Sequence, residues 1–287
     1  MPPRCRSAEV RTSVRALDAA DLPAARHLLA RDPLTHLFLL SRLEATGLDR
    51  SRLGCPVLGA FRGGDLVGMV HLGANLVPVA NDEDALDALA RRSGWWRRCS
   101  SIMGAAPTVI GFYSRMLRRG GDSWHHPRDI RDDQPLLVLD TAPALAPDPR
   151  VVVVGESDFE SYFEAAVAMY TEEVGVSPLD PSQSYRTHMV SLVRRGRCLA
   201  ILEDRRVRWK SDVALSWQGH CQVQGVWMDP AWRGRGLAAA AMAGVVVRAR
   251  AHHPVVSLYA NSFNTAALHT YRRVGFRQVG RMATVLY

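Results

Sequence analysis

Apolar positions in the second half of the chain alternate between helical and strand-like spacing. They recur every three or four residues over 157–170 and 182–194, which predicts two amphipathic helices. Three runs with short polar turns between them, over 198–202, 206–217 and 220–228, predict antiparallel strands. The other predicted elements are a strand over 151–154, a helix over 236–251, a strand over 255–259, a helix over 262–274 and a last strand toward Leu286.

The first half repeats this order of elements, which indicates a tandem duplication. Its predicted elements are a strand over 14–17, helices over 21–29 and 34–46, strands over 56–61 and 66–72, helices over 82–92 and 107–117, and a strand over 135–139. Residues 141–149 hold three prolines among small residues, a composition typical of a linker. We therefore predict an α+β protein of two domains, 1–140 and 150–287, joined by this linker, each a mixed, mostly antiparallel sheet flanked by helices.

Composition narrows the class of protein. The 287 residues are 47% hydrophobic and contain neither a run long enough to cross a membrane nor a secretion signal, so we expect a cytoplasmic location and no membrane partner. No pair of cysteines has the spacing of metal ligands, and we expect reduced thiols and no metal. The five cysteines are Cys5, Cys55, Cys99, Cys198 and Cys221.

The net charge of +8 favours an anionic partner. Lys210 is the only lysine among the 36 basic residues, and the arginines are dispersed along the chain rather than clustered. A dispersed pattern suits a nucleotide cofactor better than a nucleic acid, which we do not expect as a partner.

The most informative stretch follows the strand predicted over 220–228. Pro230 ends the strand, and Arg233, Gly234, Arg235 and Gly236 form a turn directly before a helix. Glycines let the backbone approach a ligand closely, and the free N–H groups of a helix start bind phosphate oxygens. Taken alone, this pattern is equally compatible with a flexible turn.

A second stretch strengthens the phosphate interpretation. Asn264 and Tyr271 are seven residues apart and share one face of the helix predicted over 262–274, which Gly275 would end. Taken alone, Tyr271 could be a packing residue. Its position after the Arg-Gly-Arg-Gly turn in the sequence, together with Asn264, favours a role in a binding or catalytic site.

Together the two stretches resemble the GNAT acetyltransferase superfamily. Its phosphate-binding signature, Arg/Gln-x-x-Gly-x-Gly/Ala, falls on Arg233, Gly236 and Ala238. The second signature of the superfamily falls on Asn264, Ala267, Tyr271, Gly275 and Phe276. The resemblance covers about residues 150–287. The whole chain also looks like a group of actinobacterial tandem proteins whose N-terminal half is a GNAT-like domain, here a degenerate copy because it has no equivalent turn.

The resemblance implies an N-acetyltransferase that uses acetyl-CoA and a primary amine. The backbone of Val226, Trp227 and Met228 would hold the pantetheine arm. Tyr271 would protonate the leaving thiolate, since a phenol with a reference pKa of about 10 is protonated at neutral pH. The turn would hold the diphosphate through Arg233, Gly234, Arg235, Gly236, Leu237, Ala238 and Ala239, with Asn264 and Ala267 completing the cofactor site.

The sequence differs from the family at the residue that would act as the general base and take a proton from the amine. A lysine-like amine is mostly protonated at pH 7, and its neutral form costs about 4.6 kcal/mol. Many relatives place a Glu on the strand before the turn, whereas this chain has Gln222 and Gln224 there. The candidates left are His220, Glu172, Glu173 and the carboxylate after Tyr287, of which we prefer Glu173; an amine of low pKa would need no base.

Two other functions remain open at this stage. The first is a non-catalytic regulatory module that binds acyl-CoA. The missing Glu favours it, although a protein that only binds acyl-CoA has less need of the Tyr271 hydroxyl. The second is a nucleic-acid-binding protein that uses its basic surface. The sequence does not identify the acceptor amine.

Overall fold

A computed structural model describes residues 11–287, so that Cys5 and the other residues of the N-terminus lie outside the described part. The chain divides into two units, one of residues up to Gln134 together with Gly280–Tyr287, and one of Pro135–Val279. Both are mixed α/β structures with a mixed sheet flanked by helices, which confirms the predicted fold class. Within residues 11–287, none of the helices is both long and apolar enough to span a bilayer.

The first unit follows the predicted order. Its elements are β1 Ser13–Ala16, α1 Leu22–Leu29, α2 Leu37–Thr46, α3 Arg50–Leu53, β2 Val57–Arg62, β3 Asp65–Leu72, β4 Asn75–Ala80, α4 Glu83–Arg92, β5 Ser101–Ala105 and α5 Ala106–Arg119. The short strands β4 and β5 were not predicted. Pro78 lies within β4, and Gly104, with a φ of 145°, lies within β5, so both strands carry residues that normally interrupt a strand.

The second unit repeats this plan. The elements along this part of the chain are β6 Asp129–Leu139, β7 Val152–Val153, α6 Phe159–Val174, α7 Ser184–Arg194, β8 Cys198–Glu203, β9 Arg206–Trp217, β10 His220–Met228, α8 Leu237–Arg250, β11 Val255–Tyr259, α9 Thr265–Val274 and β12 Arg277–Leu286. Each of the predicted elements is present here, with ends that differ by up to four residues.

The two units do not meet at the predicted linker, residues 141–149. The chain passes from the first unit to the second at Pro135 and returns to the first at Gly280. Residues 136–139 of β6 pair with β11 in the second unit, and residues 282–286 of β12 pair with β5 in the first. The last strand of each half of the sequence therefore completes the sheet of the other unit. Residues 141–149 lie inside the second unit, where the N–H of Ala144 donates to Val274 O and that of Asp148 to Ala240 O.

The sheet of the second unit separates two layers of helices. Along β8, Leu199 and Ile201 belong to the core formed with α8 and α9, whereas Cys198 and Ala200 belong to the core formed with α6 and α7. Alternate residues of a strand point to opposite faces. The side chains of β9 and β10 are therefore divided between an α8–α9 face and an α6–α7 face.

Candidate functional site

The strands β10 and β11 separate halfway along their length. They run parallel and pair only at the start of β10, from His220 opposite Val255 to Gln222 opposite Ser257. On its other edge β10 stays paired with β9 as far as Met228. The second half of β10 therefore has one edge whose backbone groups do not pair with β11, and an extended ligand could pair there like an added strand.

A β-bulge lies where the two strands separate. Gln224 lies opposite Asp212 and Trp227 lies opposite Lys210, so Gly225 and Val226 together face the single residue Ser211. Gly225 has a φ of 58°, in the region where glycine is free of the strain that a side chain brings.

The predicted phosphate turn has the backbone that anion binding needs. Asp229 caps a short 3₁₀ turn, Pro230–Trp232, and Gly234 and Gly236 follow with φ of 76° and 73°. Helix α8 begins at Leu237 without a side-chain cap and without an acidic residue in its first turn. A Cβ atom on Gly234 or Gly236 would meet no other atom within 4 Å. The start of α8 is thus an open, uncapped helix N-terminus, which favours an anion.

The start of α4 in the first unit is built in the opposite way. Asp82 caps it by accepting a hydrogen bond from the N–H of Ala85, and Glu83 and Asp84 add two carboxylates to the first turn. Three acidic side chains at this helix start disfavour a phosphate group. The starts of α4 and α8 therefore differ both in their caps and in their charge.

Glu172 links helix α6 to the phosphate turn. Its carboxylate accepts hydrogen bonds from Trp227 Nε1 at 3.0 Å and from a guanidinium nitrogen of Arg233 at 2.7 Å. The Nε of Arg233 also donates to Met228 O at 2.9 Å. Glu172 is therefore committed to two donors, which argues against its role as the base.

Tyr271 lies where the second signature predicts it, on α9. Its side chain is buried, 6% exposed, and contacts the ring of Phe276. Burial raises the pKa of Tyr271 above its ordinary value, and the negative charge of Glu173 raises it further. The hydroxyl therefore stays protonated, and Glu173 is close enough to influence it electrostatically.

Asn264 has a structural task in addition to any binding role. Its side-chain oxygen accepts a hydrogen bond from the N–H of Ala267 at 3.2 Å and so caps α9. Gly275 ends the helix in the left-handed conformation. The two signature residues thus fix both ends of the helix that carries Tyr271.

The remaining base candidates are held at different places. The side-chain amide of Gln224 donates to the side-chain oxygen of Gln222 at 2.7 Å, and neither glutamine can act as a base. His220 lies at the far end of β10, where its Nδ1 is 3.1 Å from Gln218 O. Tyr287 belongs to the first unit. Glu173, near the end of α6, is the base candidate whose negative charge raises the pKa of Tyr271.

A buried charged cluster that the sequence pattern does not predict lies beneath the bulge. Lys210 Nζ donates to Asp212 Oδ2 at 2.8 Å, and the hydroxyl of Tyr162 donates to Asp212 Oδ1 at 2.5 Å. The same hydroxyl oxygen lies 2.8 Å from Ser211 O. Lys210 is 0% exposed. The signal in the sequence was that this residue is the only lysine of the chain.

Family models match both halves of the chain. Residues 161–276 match the model of the acetyltransferase (GNAT) family, and residues 55–162 match that of a domain of unknown function, DUF4081. No curated protein matches the chain.

Solved structures resemble the fold over nearly the whole chain. A GCN5-related N-acetyltransferase from Sphaerobacter thermophilus is 18% identical, with a TM-score of 0.63 over 96% of this chain and 94% of its own. A GNAT-family acetyltransferase from Colwellia psychrerythraea is 11% identical, with a TM-score of 0.57 over 96% and 99%. A tandem GNAT protein from the clavulanic acid biosynthesis pathway is 12% identical, with a TM-score of 0.50 over 96% and 98%.

Proposed function

We propose that this chain, whose second unit carries a domain of the acetyltransferase (GNAT) family, transfers the acetyl group of acetyl-CoA to a primary amine. The observation that carries the proposal is the combination of an unpaired edge of β10, an uncapped glycine turn at its end and a buried, protonated Tyr271. Each of the three matches one part of acetyl-CoA: the pantetheine arm, the diphosphate and the leaving thiolate.

The residues of the second unit fit acetyl-CoA. The backbone of Val226, Trp227 and Met228 offers strand-like hydrogen bonds to the amide groups of the pantetheine arm. The turn from Arg233 through Gly234, Arg235, Gly236, Leu237 and Ala238 to Ala239 offers N–H groups and two positive charges to the diphosphate. Since Asn264 uses its side-chain oxygen for the cap, we assign its side-chain nitrogen, beside Ala267, to the arm of the cofactor.

In the proposed transfer, the neutral amine attacks the carbonyl carbon of the thioester. A C–N bond forms, the C–S bond breaks, and the electron pair of that bond leaves with sulfur. Tyr271 gives its proton to the thiolate, and Glu173 takes the proton that the amine loses. Both residues return to their starting state by proton exchange with water. Glu173 is assigned this role because its charge acts on Tyr271 and because Glu172 is committed elsewhere.

A cavity of about 340 Å³ between α6 and α7 is the proposed entrance for the acceptor. The cavity combines an apolar wall with the carboxylate of Asp180, which suits a cationic amine with an apolar body. The guanidinium of Arg186, which also lines the cavity, is paired with Glu160. The hydroxyls of Ser182 and Ser184 hydrogen-bond to Asp180 and, with backbone N–H groups, lower its pKa, so the carboxylate stays charged. The lining residues are Phe163, Pro178, Leu179, Asp180, Gln183, Tyr185 and Arg186.

The second candidate is a module that binds acyl-CoA without turnover. The observation in its favour is that Gln224 donates a hydrogen bond to Gln222 on the strand where many relatives have a Glu. Both candidates predict that acetyl-CoA binds, and only the enzyme predicts thiol release.

The test is thiol release from acetyl-CoA with a panel of amines and peptides, run beside calorimetry of acetyl-CoA binding. Turnover with one class of acceptor supports the enzyme and names its substrate. Binding without turnover across the panel supports the regulatory module. Failure to bind acetyl-CoA contradicts both.

A further inference from the structure

The Lys210–Asp212 pair is the strongest unassigned feature of the second unit. Lys210 is 0% exposed and Asp212 is 5% exposed, on neighbouring positions of the α6–α7 face of β9. Burying two charges is costly, and an apolar pair of similar size often gives equal or greater stability. The pair is therefore poorly explained by stability alone.

The choice of lysine is itself informative. At every other basic position this chain uses arginine. An ammonium group is compact, whereas a guanidinium is a broad planar fork that needs more room and more partners. The space beneath the bulge is tight, since a Cβ on Gly225 would lie 2.6 Å from Asp212 Oδ2 and 2.9 Å from Lys210 Nζ.

Of the two charged groups, the Lys210 ammonium is the one with hydrogen-bonding groups to spare. Both oxygens of Asp212 accept a bond, one from Lys210 and one from Tyr162. The ammonium has three N–H groups, and among the described residues its hydrogen bond is the one to Asp212. The ammonium therefore has N–H donors to spare beneath Gly225, beside the carboxylate oxygen of Asp212 that balances its charge.

The proposed function brings the thioester to this point. With the diphosphate at the turn after Met228, the pantetheine arm runs back along β10 past Trp227 and Val226. The next residue is Gly225, at the bulge. The thioester carbonyl, whose oxygen gains negative charge during transfer, would then lie beside the residue that covers the Lys210 ammonium.

We infer that Lys210 and Asp212 are a positioning pair for acetyl transfer: Asp212 and Tyr162 hold the ammonium of Lys210 beneath Gly225, where it polarises the thioester carbonyl bound against β10. This inference rests on the proposed function for the identity of the ligand. Groups that stabilise a developing oxyanion are commonly worth about 10²- to 10³-fold in kcat.

The experiment compares the unaltered chain with the double variant Lys210→Met and Asp212→Asn, which removes both charges and leaves neither buried alone. Acetyl-CoA carrying ¹³C at the carbonyl carbon reports the polarisation of the bound thioester without any acceptor. We expect unchanged affinity, a carbonyl resonance displaced toward that of free acetyl-CoA, and kcat lower by about 100-fold. Val207→Ala, a cavity variant of the same strand, controls for lost stability and should leave the resonance in place.

The outcomes separate this inference from the proposed function. A double variant that binds acetyl-CoA with an unchanged resonance overturns the role of the pair and leaves the transferase intact. An unaltered chain that binds acetyl-CoA but acetylates no amine contradicts the enzyme, while the resonance still decides the pair. Absence of acetyl-CoA binding to the unaltered chain overturns both. If the double variant does not fold, Gly225→Ala, which pushes a methyl group against both charged atoms, takes its place with the same readout.

Discussion

Glu172 and Arg233 form an ion pair of 2.7 Å that joins the end of α6 to the start of the phosphate turn. Arg233 is the first residue of the phosphate signature. Its guanidinium, which the diphosphate would attract, is therefore already paired with the carboxylate of Glu172. The same carboxylate holds the indole of Trp227 on β10. One acidic residue thus touches both segments that are proposed to bind acetyl-CoA.

Replacing this residue by Glu172→Gln should tighten acetyl-CoA binding. The glutamine oxygen can still accept from Trp227, while Arg233 loses a competing negative charge. Exposed ion pairs are worth roughly 0.2–1 kcal/mol, so we expect about 1.4- to 5-fold higher affinity in calorimetry. Glu164→Gln, on the exposed face of α6, is the control and should leave affinity unchanged. Unchanged or weaker binding by Glu172→Gln would contradict the competition between Glu172 and the diphosphate for Arg233.

A carboxylate at the start of α8 should strongly weaken acetyl-CoA binding, as the acidic start of α4 suggests for the first unit. Gly236→Asp places a charge about 5 Å from the diphosphate, which costs roughly 3 kcal/mol at an effective dielectric constant of 20, or about a hundredfold in affinity. Gly236→Asn has the same shape and the same strained φ without the charge. The difference between the two variants in calorimetry isolates the electrostatic part. Equal affinities would show that the diphosphate does not bind at this turn.

Tyr271→Phe should lower turnover and leave acetyl-CoA affinity almost unchanged. Loss of a general acid costs about 10²- to 10⁴-fold in rate. The pKa of Tyr271 is raised, so the neutral, proton-donating form persists as pH rises past the ordinary phenol value of about 10. The rate profile of the unaltered chain should therefore show no loss of the acid up to that pH. A variant with full activity would remove Tyr271 from this role.

The role of Glu173 predicts a dependence on the acceptor. Glu173→Gln should reduce kcat/KM by about 10²-fold or more for amines that are protonated at the assay pH, because these must lose a proton before attack. For an amine whose pKa lies below the assay pH, the same variant should be nearly as active as the unaltered chain. Thiol release with a series of amines of graded pKa gives the comparison. Equal losses across the series would indicate a structural role for Glu173.

Features that depend on residues close together in the sequence could be predicted, whereas features that depend on residues far apart could not. Helices such as α6 and α9 were predictable because their apolar spacing and end signals are local in sequence. The pairing of β12 with β5 was not, since Thr284 and Met103 are partners across most of the chain. Similarly, Lys210 stands out in composition, but its location beneath Gly225 depends on a bulge that the alternating pattern of β10 does not reveal.

The two units should differ in acetyl-CoA binding although they share one plan. In the first unit β4 and β5 pair in parallel only at Asn75 and Leu76, much as β10 and β11 do. At the helix start that follows β4, however, Asp82 with its acidic neighbours takes the place that an uncapped glycine turn has before α8. We therefore expect calorimetry to give one acetyl-CoA per chain, and one site that is about a hundredfold weaker for Gly236→Asp. A stoichiometry of two, or a site of unchanged affinity in Gly236→Asp, would show that the first unit binds the cofactor despite its acidic helix start.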